Sequence, residues 1–126
     1  MNTDIVGTGA TVTITEIYKS VQGESTWVGL PCIFVRLTGC NLRCVWCDTE
    51  YAFYGGNKMP VEEVVAECVA LDCTLVEITG GEPLVRRGIV PFIASLRDIA
   101  GIEDISVTTN GVLLEEMASG LRDAGI

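Results

Sequence analysis

The chain contains no histidine, and it has only 8 Lys and Arg residues against 17 Asp and Glu. The absence of histidine excludes Ser-His-Asp and Cys-His nucleophile pairs and most mixed Cys/His zinc sites. The shortage of basic residues gives a formal net charge of −9 over 126 residues, which argues against direct binding of nucleic acid. The chemistry therefore has to come from cysteine, carboxylate, hydroxyl and backbone groups, and the expected partners are small molecules or proteins.

Long apolar runs are also missing. No stretch approaches the roughly 18 uninterrupted apolar residues of a membrane span, and residues 1–10 lack the basic and apolar regions of a signal peptide. We therefore expect a cytoplasmic protein with no membrane association. In that compartment the six cysteines are expected to be reduced, not paired in a disulfide framework. The 48% of hydrophobic residues is enough for the core of one domain.

Three short runs rich in β-branched and apolar residues alternate with three helical patterns. The predicted strands are residues 32–37, 74–79 and 105–110. The predicted helices lie within residues 61–71, 89–99 and 114–121. This β-α-β-α-β-α order predicts an α/β fold whose parallel strands are joined by right-handed crossovers.

One face of the predicted sheet is polar, whereas an ordinary parallel sheet is apolar on both faces. Alternation places one polar set on this face: Arg36, Thr38, Glu77, Thr79, Ser106, Thr108 and Asn110. The opposite, apolar set should pack on helices: Val35, Leu37, Val76, Ile78 and Val107. Polar groups near the carboxyl ends of parallel strands are where such folds place their sites. Solvent-facing edge residues would give the same alternation.

Cys40, Cys44 and Cys47 form a Cys-x3-Cys-x2-Cys run directly after the first predicted strand. A closed structural zinc site needs four ligands, whereas a cubane iron–sulfur cluster held by three thiolates leaves one iron open. The alternatives are plain structural thiols or a zinc site completed by one of the remaining cysteines. Those cysteines begin a strand, lie on an apolar helical stripe or precede a strand, so we interpret them as core residues: Cys32, Cys68 and Cys73.

The cysteine run, followed at the end of the next strand by Gly80-Gly81-Glu82-Pro83, resembles the radical S-adenosylmethionine (SAM) superfamily. Residues 16–56 are similar to the 7-carboxy-7-deazaguanine synthase family, in their Q-G-E, F-V-R-L and W-C-D-T segments. Residues 78–126 look more like the GTP 3′,8-cyclase of molybdenum cofactor synthesis, because T-T-N-G stands where the deazaguanine family usually has E-T-S-G.

The resemblance implies a partial parallel (βα) barrel of the radical SAM type. Both families continue beyond the point that corresponds to the end of this chain. We therefore expect a barrel truncated after about three βα units, with a flexible leader at residues 1–12 and an incomplete radical SAM domain at residues 13–126.

The resemblance also implies a cofactor site. Cys40, Cys44 and Cys47 would hold a four-iron four-sulfur (4Fe-4S) cluster whose open iron binds SAM. A second set of residues would contact SAM: Trp46, Cys47, Asp48, Gly80, Gly81, Glu82 and Asn110. Gly80 and Gly81 would allow the backbone to approach the methionine moiety, although a simple strand-to-helix turn would also explain the pair.

In the deazaguanine family the substrate is 6-carboxy-5,6,7,8-tetrahydropterin. The implied substrate-binding residues are Val21, Gln22, Gly23, Arg36 and Thr79. Arg36 would pair with the pterin carboxylate, unless it is a solvated cation at a strand end. Thr49 would bind Mg²⁺ through its hydroxyl, unless it only stabilises a turn.

The implied activity is that of a radical SAM lyase, which contracts the pterin ring with loss of ammonia on the route to queuosine-type bases. An electron donor such as flavodoxin or ferredoxin and a homodimer are expected with it. Two other hypotheses remain: a different radical SAM enzyme, with the cyclase foremost, or an inactive zinc or Fe–S fragment. The fragment is considered because three strands leave polar faces and sheet edges exposed.

Overall fold

The computed structural model describes residues 10–126. Its elements in chain order are β1 (Thr11–Val21), β2 (Pro31–Leu37), β3 (Asn57–Pro60), α1 (Val61–Leu71), β4 (Leu75–Thr79), α2 (Ile89–Arg97), β5 (Asp104–Val107) and α3 (Leu114–Ala124). The predicted α/β fold is confirmed, with all three predicted strands and all three predicted helices present. No helix in the described residues is long and apolar enough to cross a bilayer.

The described residues form a sheet of five strands in the order β3-β1-β2-β4-β5. The three predicted strands, β2, β4 and β5, are parallel to one another. The two strands that the sequence analysis missed, β1 and β3, pair in antiparallel fashion at the other side of the sheet. The parallel part of the sheet therefore brings three carboxyl ends to one edge, beside an antiparallel extension.

The start of β1 corrects the predicted leader. Thr11 and Val12 belong to β1, and both Ala10 and Val12 are buried in the core. The predicted boundary between leader and domain at residue 12 was therefore wrong, because the domain includes Ala10, Thr11 and Val12. The apolar residues of this segment alternate along the chain and pack in the core. Residues 1–9 of the predicted leader lie outside the described residues.

The helices pack on one face of the sheet. The buried core includes Ile33, Val35, Leu37, Val76 and Ile78 from the strands and Val64, Cys68, Phe92, Ile93 and Leu96 from the helices. Val107 is partly buried against the same core. The prediction that one alternating set packs on helices is confirmed, and the polar set faces away from them.

The third predicted strand is shorter than expected, because β5 ends at Val107. The Thr108 amide still donates to the Ile78 carbonyl at 2.9 Å, as in a sheet. The Asn110 amide, two residues further on, donates to the Glu82 carboxylate and not to a strand carbonyl. A side chain therefore replaces the neighbouring strand as the hydrogen-bond partner, and the chain turns away from the sheet.

Candidate active site

The loop that follows β2 carries the three predicted cluster ligands. Cys40, Cys44 and Cys47 are free thiols of intermediate exposure that line one cavity of about 330 Å³. The cavity lies at the carboxyl edge of the parallel strands, and its other lining residues are Leu42, Trp46, Asp48, Thr49, Gly81, Thr108, Thr109 and Asn110. The structure thus brings residues distant in sequence to one small-molecule-sized space.

Polar groups of the loop surround the sulfur atoms. The Leu42 amide donates to Cys40 Sγ at 3.4 Å, and Thr49 Oγ1 lies 3.8 Å from Cys47 Sγ. Arg43 donates to the Cys40 carbonyl at 3.0 Å, which holds a cation beside the loop. Hydrogen bonds and nearby charge of this kind tune the potential of a cluster bound by thiolates.

Arg43 is anchored by aromatic rings. Its guanidinium lies 4.1 Å from the Phe53 ring centroid and donates to the Tyr54 hydroxyl at 3.2 Å. The hydrogen bond to Tyr54 raises the pKa of Arg43, and the charges of Cys40 and Cys47 act in the same direction. No pattern in the sequence marks Arg43, since only the folded loop brings it against these rings.

The other three cysteines lie outside this cavity. Cys32 and Cys68 are buried, and burial raises the pKa of each thiol to about 12. Cys73 donates to the Pro31 carbonyl at 3.1 Å. None of them lines the cavity as a fourth ligand. Three thiols around one open cavity therefore fit a cluster with a free iron better than a closed four-ligand zinc site.

Gly80 and Gly81 both have a left-handed backbone, with φ of +78° and +53°. A Cβ atom on Gly80 would overlap the side chain of Arg36, and one on Gly81 would overlap the backbone carbonyl of Gly39. The pair is therefore required by close packing between the ends of β2 and β4. Gly81 lines the cavity, whereas Gly80 is buried behind it.

Glu82 ties the strand ends together. Its side chain is only 2% exposed and accepts hydrogen bonds from the Thr109 hydroxyl and from the Asn110 amide at 3.3 Å. Its own amide donates to the Gly39 carbonyl at 2.6 Å. The predicted contact of Glu82 with SAM stays a prediction. Thr109, which the sequence analysis passed over, proves to be its main partner.

Asn110 links the end of β5 to the cysteine loop. Its Nδ2 donates to Asn41 Oδ1 at 2.7 Å, and its Oδ1 accepts from the Val112 amide at 3.0 Å. Trp46, which is 82% exposed, lines the same cavity. The residues predicted to contact SAM come from three separate segments and converge on this cavity, except for Gly80 and Glu82, which are buried and do not line it.

Thr49 and Asp48 place oxygen atoms in the cavity. Thr49 Oγ1 donates to Asp48 Oδ1 at 3.3 Å. A hydroxyl and a carboxylate are hard oxygen ligands of the kind that Mg²⁺ prefers. The pair can therefore contribute to a Mg²⁺ site together with substrate oxygens and water.

Arg36 is already paired, which the sequence analysis did not anticipate. Its Nε donates to Glu16 Oε1 at 2.8 Å and its Nη2 to the Tyr18 hydroxyl at 2.9 Å. The side chain is only 12% exposed, so the alternative of a solvated strand-end cation is wrong. Burial acts to lower the pKa of Arg36, but the bonds to Glu16 and Tyr18 outweigh it, so the pKa is raised. Thr79 lies across from it on β4.

The predicted Val21-Gln22-Gly23 segment lies at the opposite edge of the sheet. Val21 pairs with Pro31 at the start of β2, whereas the cysteine loop follows the end of that strand. The two are about 20 Å apart at strand spacing. Val21 and Gly23 are exposed there, but Gln22 is buried and its Nε2 reaches Glu77 at 2.7 Å.

Glu77 stands at the centre of the polar face between these two groups of residues. Its carboxylate accepts from Gln22, from Ser106 Oγ at 3.1 Å and from Thr108 Oγ1 at 2.5 Å. Alternation placed Glu77 on the polar face, but nothing in the sequence identified its partners.

The comparison with protein families agrees with this arrangement. A family described as the radical SAM superfamily matches residues 34–126, which include the cysteine loop, the glycine pair and the ends of β4 and β5. The chain belongs to the radical SAM superfamily. Membership implies a 4Fe-4S cluster and SAM as cofactors. Cys40, Cys44 and Cys47 line the cavity at the carboxyl edge of the parallel strands of this radical SAM chain.

Two curated relatives and one solved structure bear on the finer assignment. The 7-carboxy-7-deazaguanine synthase of Koribacter versatilis is 56% identical over 100 residues, which cover 78% of this chain and 43% of that protein. The GTP 3′,8-cyclase of Heliobacterium modesticaldum is 44% identical over 93 residues, which cover 69% of this chain and 28% of that protein. A crystal structure of QueE from Escherichia coli matches with a TM-score of 0.70 at 26% identity, covering 80% of this radical SAM chain and 53% of that one.

Both predicted resemblances are therefore confirmed. The likeness to deazaguanine synthase covers 78% of the chain and so extends well beyond residues 16–56, on which it was recognised. The radical SAM chain spans about half the length of QueE and less than half of the Koribacter relative.

Proposed function

We propose that the chain carries the cofactor site and part of the substrate site of a 7-carboxy-7-deazaguanine synthase. The proposed reaction is the radical-mediated ring contraction of 6-carboxy-5,6,7,8-tetrahydropterin with loss of ammonia. The observation that carries the proposal is the single cavity shared by three free thiols, the Asp48–Thr49 oxygens and the ends of β4 and β5. The 56% identity to the Koribacter enzyme supports this choice within the superfamily.

In this proposal Cys40, Cys44 and Cys47 hold the cluster and leave one iron open. When bound, the cluster and SAM supply the radical that abstracts hydrogen from the substrate. Trp46, Gly81 and Asn110 border the space for SAM, and Glu82 acts by fixing Thr109 and the Asn110 backbone. The protein's own contribution is to hold the reacting groups together and to exclude competing hydrogen donors.

The substrate carboxylate is proposed to bind Arg36 together with Mg²⁺ at Thr49 and Asp48. A guanidinium has five N–H donors, and Glu16 and Tyr18 occupy two of them. Glu16 also neutralises part of the charge of Arg36, so Mg²⁺ has to supply the rest of the positive charge.

The substitution Arg36→Leu is expected to weaken binding of 6-carboxytetrahydropterin by about tenfold or more, because a hydrogen bond to a charged group contributes roughly 1.5–3 kcal/mol. Binding of SAM should change far less. Removal of Mg²⁺ should also weaken binding of the pterin. The measurement is anaerobic equilibrium binding of both ligands to wild type and variant. Arg122→Leu, whose side chain is 75% exposed, is the matched control.

Identical pterin affinity in wild type and Arg36→Leu, with the variant folded, would contradict the role of Arg36. A second candidate function, GTP 3′,8-cyclase, is supported by the 44% identity to the Heliobacterium protein. Preferential binding of GTP over the carboxypterin by the wild-type chain would favour that candidate and reject the synthase assignment.

The remaining expectations belong to the same proposal. A small-molecule substrate is implied by the superfamily, whereas an electron donor such as flavodoxin or ferredoxin, a homodimer and a cytoplasmic location are proposed with the synthase activity. Within residues 10–126 the terminal strands β3 and β5 each have one edge that pairs with no other strand, and such an edge can pair with a second copy of the chain, which supports the homodimer.

A further inference from the structure

Glu77 holds a position that the proposed function does not yet use. It lies in the middle of β4, between Phe34 of β2 and Ser106 of β5 in the register of the sheet. Its Oε1 accepts from Gln22 and Ser106, and its Oε2 accepts from Thr108. The carboxylate is therefore held at a fixed position and orientation on the polar face.

In the part of the chain that the structure describes, the hydrogen bonds of Glu77 are all to neutral groups. Within residues 10–126, side-chain ion pairs join Arg36 to Glu16 and Arg122 to Asp123, and none involves Glu77. A carboxylate offers about four lone-pair sites, and the three donors found among the described residues leave one of these sites free, on Oε2. A partly buried carboxylate without a cation gains from one more N–H donor, because hydrogen bonds to a charged acceptor are the stronger ones.

An aromatic surface adjoins this acceptor. Phe34, directly across from Glu77, stacks on Tyr18 with ring centroids 5.2 Å apart and an interplanar angle of 14°. A flat ring surface beside a fixed acceptor is the combination by which proteins bind planar heterocycles that carry N–H groups on one edge.

Resting on the proposed function, we propose that Glu77 is a specificity residue whose Oε2 accepts a hydrogen bond from the 2-amino group of a 2-amino-4-oxopyrimidine ring. Thr79 is two residues further along β4, roughly 7 Å away at strand spacing, and it pairs with Arg36 across the sheet. A bicyclic ring with its amino end at Glu77 therefore directs its other end towards Arg36. Pterins and guanine nucleotides share this ring edge.

The test compares 6-carboxypterin with 6-carboxylumazine, which has a 2-oxo group in place of the 2-amino group. Both are titrated anaerobically against the chain loaded with cluster and SAM. Wild type is expected to prefer the pterin by about tenfold or more, since the lumazine replaces the N–H donor with an oxygen that faces the carboxylate. Equal affinity for the two probes in wild type would overturn the inference.

The variant Glu77→Gln removes the acceptor with little change in shape. Gln22 and Ser106 both donate to one oxygen of residue 77, so they would hold the amide oxygen and turn its NH₂ towards the ligand. The preference for the pterin should fall to about onefold to threefold. An unchanged preference in a folded Glu77→Gln chain would show that Glu77 is only structural.

Ser106→Ala is the matched control. It removes one donor to Oε1 and leaves Oε2 untouched, so the preference for the pterin should persist. Urea unfolding midpoints of all three proteins separate loss of stability from loss of specificity. If Glu77→Gln does not fold, the inference is tested by the wild-type affinities for 6-carboxypterin and 6-carboxylumazine, and equal affinities would overturn it.

A parallel titration compares GTP with ITP, which lacks the 2-amino group. It shows whether the ring that binds at Glu77 belongs to a pterin or to a guanine nucleotide. Binding of 6-carboxypterin with the expected preference supports the inference and the synthase together. Binding of GTP alone, with a preference over ITP that Glu77→Gln removes, supports Glu77 but contradicts the synthase. Pterin binding without any preference contradicts Glu77 alone, and binding of none of the probes contradicts both.

Discussion

Replacing Cys40, Cys44 or Cys47 with alanine is expected to abolish assembly of the iron–sulfur cluster. The three thiols share one cavity, and the other cysteines lie outside it, so no sulfur is placed to substitute for a lost ligand. A cluster held by three thiolates already has one iron without a protein ligand, and losing a second attachment should leave it unable to persist. The measurement is iron and sulfide content per chain after anaerobic reconstitution, and iron should fall to background.

Cys68→Ala is the matched control for that series. Cys68 is 2% exposed in α1, on the helical side of the sheet, where it packs in the core. Its replacement should leave iron content unchanged and lower the free energy of unfolding by roughly 1 kcal/mol, a typical cost of a core truncation. Equal loss of iron from Cys68→Ala and Cys44→Ala would show that the ligands are assigned wrongly.

Gly81→Ala is expected to produce the largest loss of stability among single-methyl changes at the site. Its φ of +53° is unfavourable for alanine by roughly 1–2 kcal/mol. The added Cβ would also overlap the Gly39 carbonyl, which accepts the Glu82 amide, so backbone has to move. Overpacking of this kind costs roughly 1–3 kcal/mol more. We expect a loss of about 3 kcal/mol or more in urea unfolding, together with loss of SAM binding.

Gly101→Ala separates the cost of the left-handed backbone from the cost of the Cβ overlap. Gly101 has a φ of +92°, but a Cβ there would meet nothing within 4 Å. It should therefore lose only the roughly 1–2 kcal/mol of left-handed strain and bind SAM normally. If Gly81→Ala were no more destabilised than Gly101→Ala, the close approach of the two strand ends would not be a structural requirement.

The grouping of the three thiols around one cavity could be predicted because it depends on local spacing. Cys40, Cys44 and Cys47 lie within eight residues, so the pattern specifies their proximity without knowledge of the sheet. The parallel strands and helices were predictable for a similar reason, since each carries its own periodicity. The two missed strands were harder to see: β3 has only four residues and ends at a proline, and β1 mixes charged and hydroxyl residues into its alternation.

Missing β1 explains most of what the sequence analysis could not predict about the site. Glu16 faces Arg36 only because β1 pairs with β2 in antiparallel register, so the ion pair is invisible without that strand. The hydrogen bond from Gln22 to Glu77 also depends on β1, because Gln22 directly follows that strand. The contact of Thr109 with Glu82 joins the ends of two different strands, 27 residues apart, and no local pattern records it.

The most direct measurement of the central claim is metal analysis of the wild-type chain with paramagnetic resonance. After anaerobic reconstitution the chain should bind about four irons, and the spectrum of the reduced cluster should change on addition of SAM, because SAM binds the open iron. One tightly held zinc per chain with no cluster, or a four-iron cluster whose spectrum is indifferent to SAM, would contradict the assignment of this cavity as a radical SAM site.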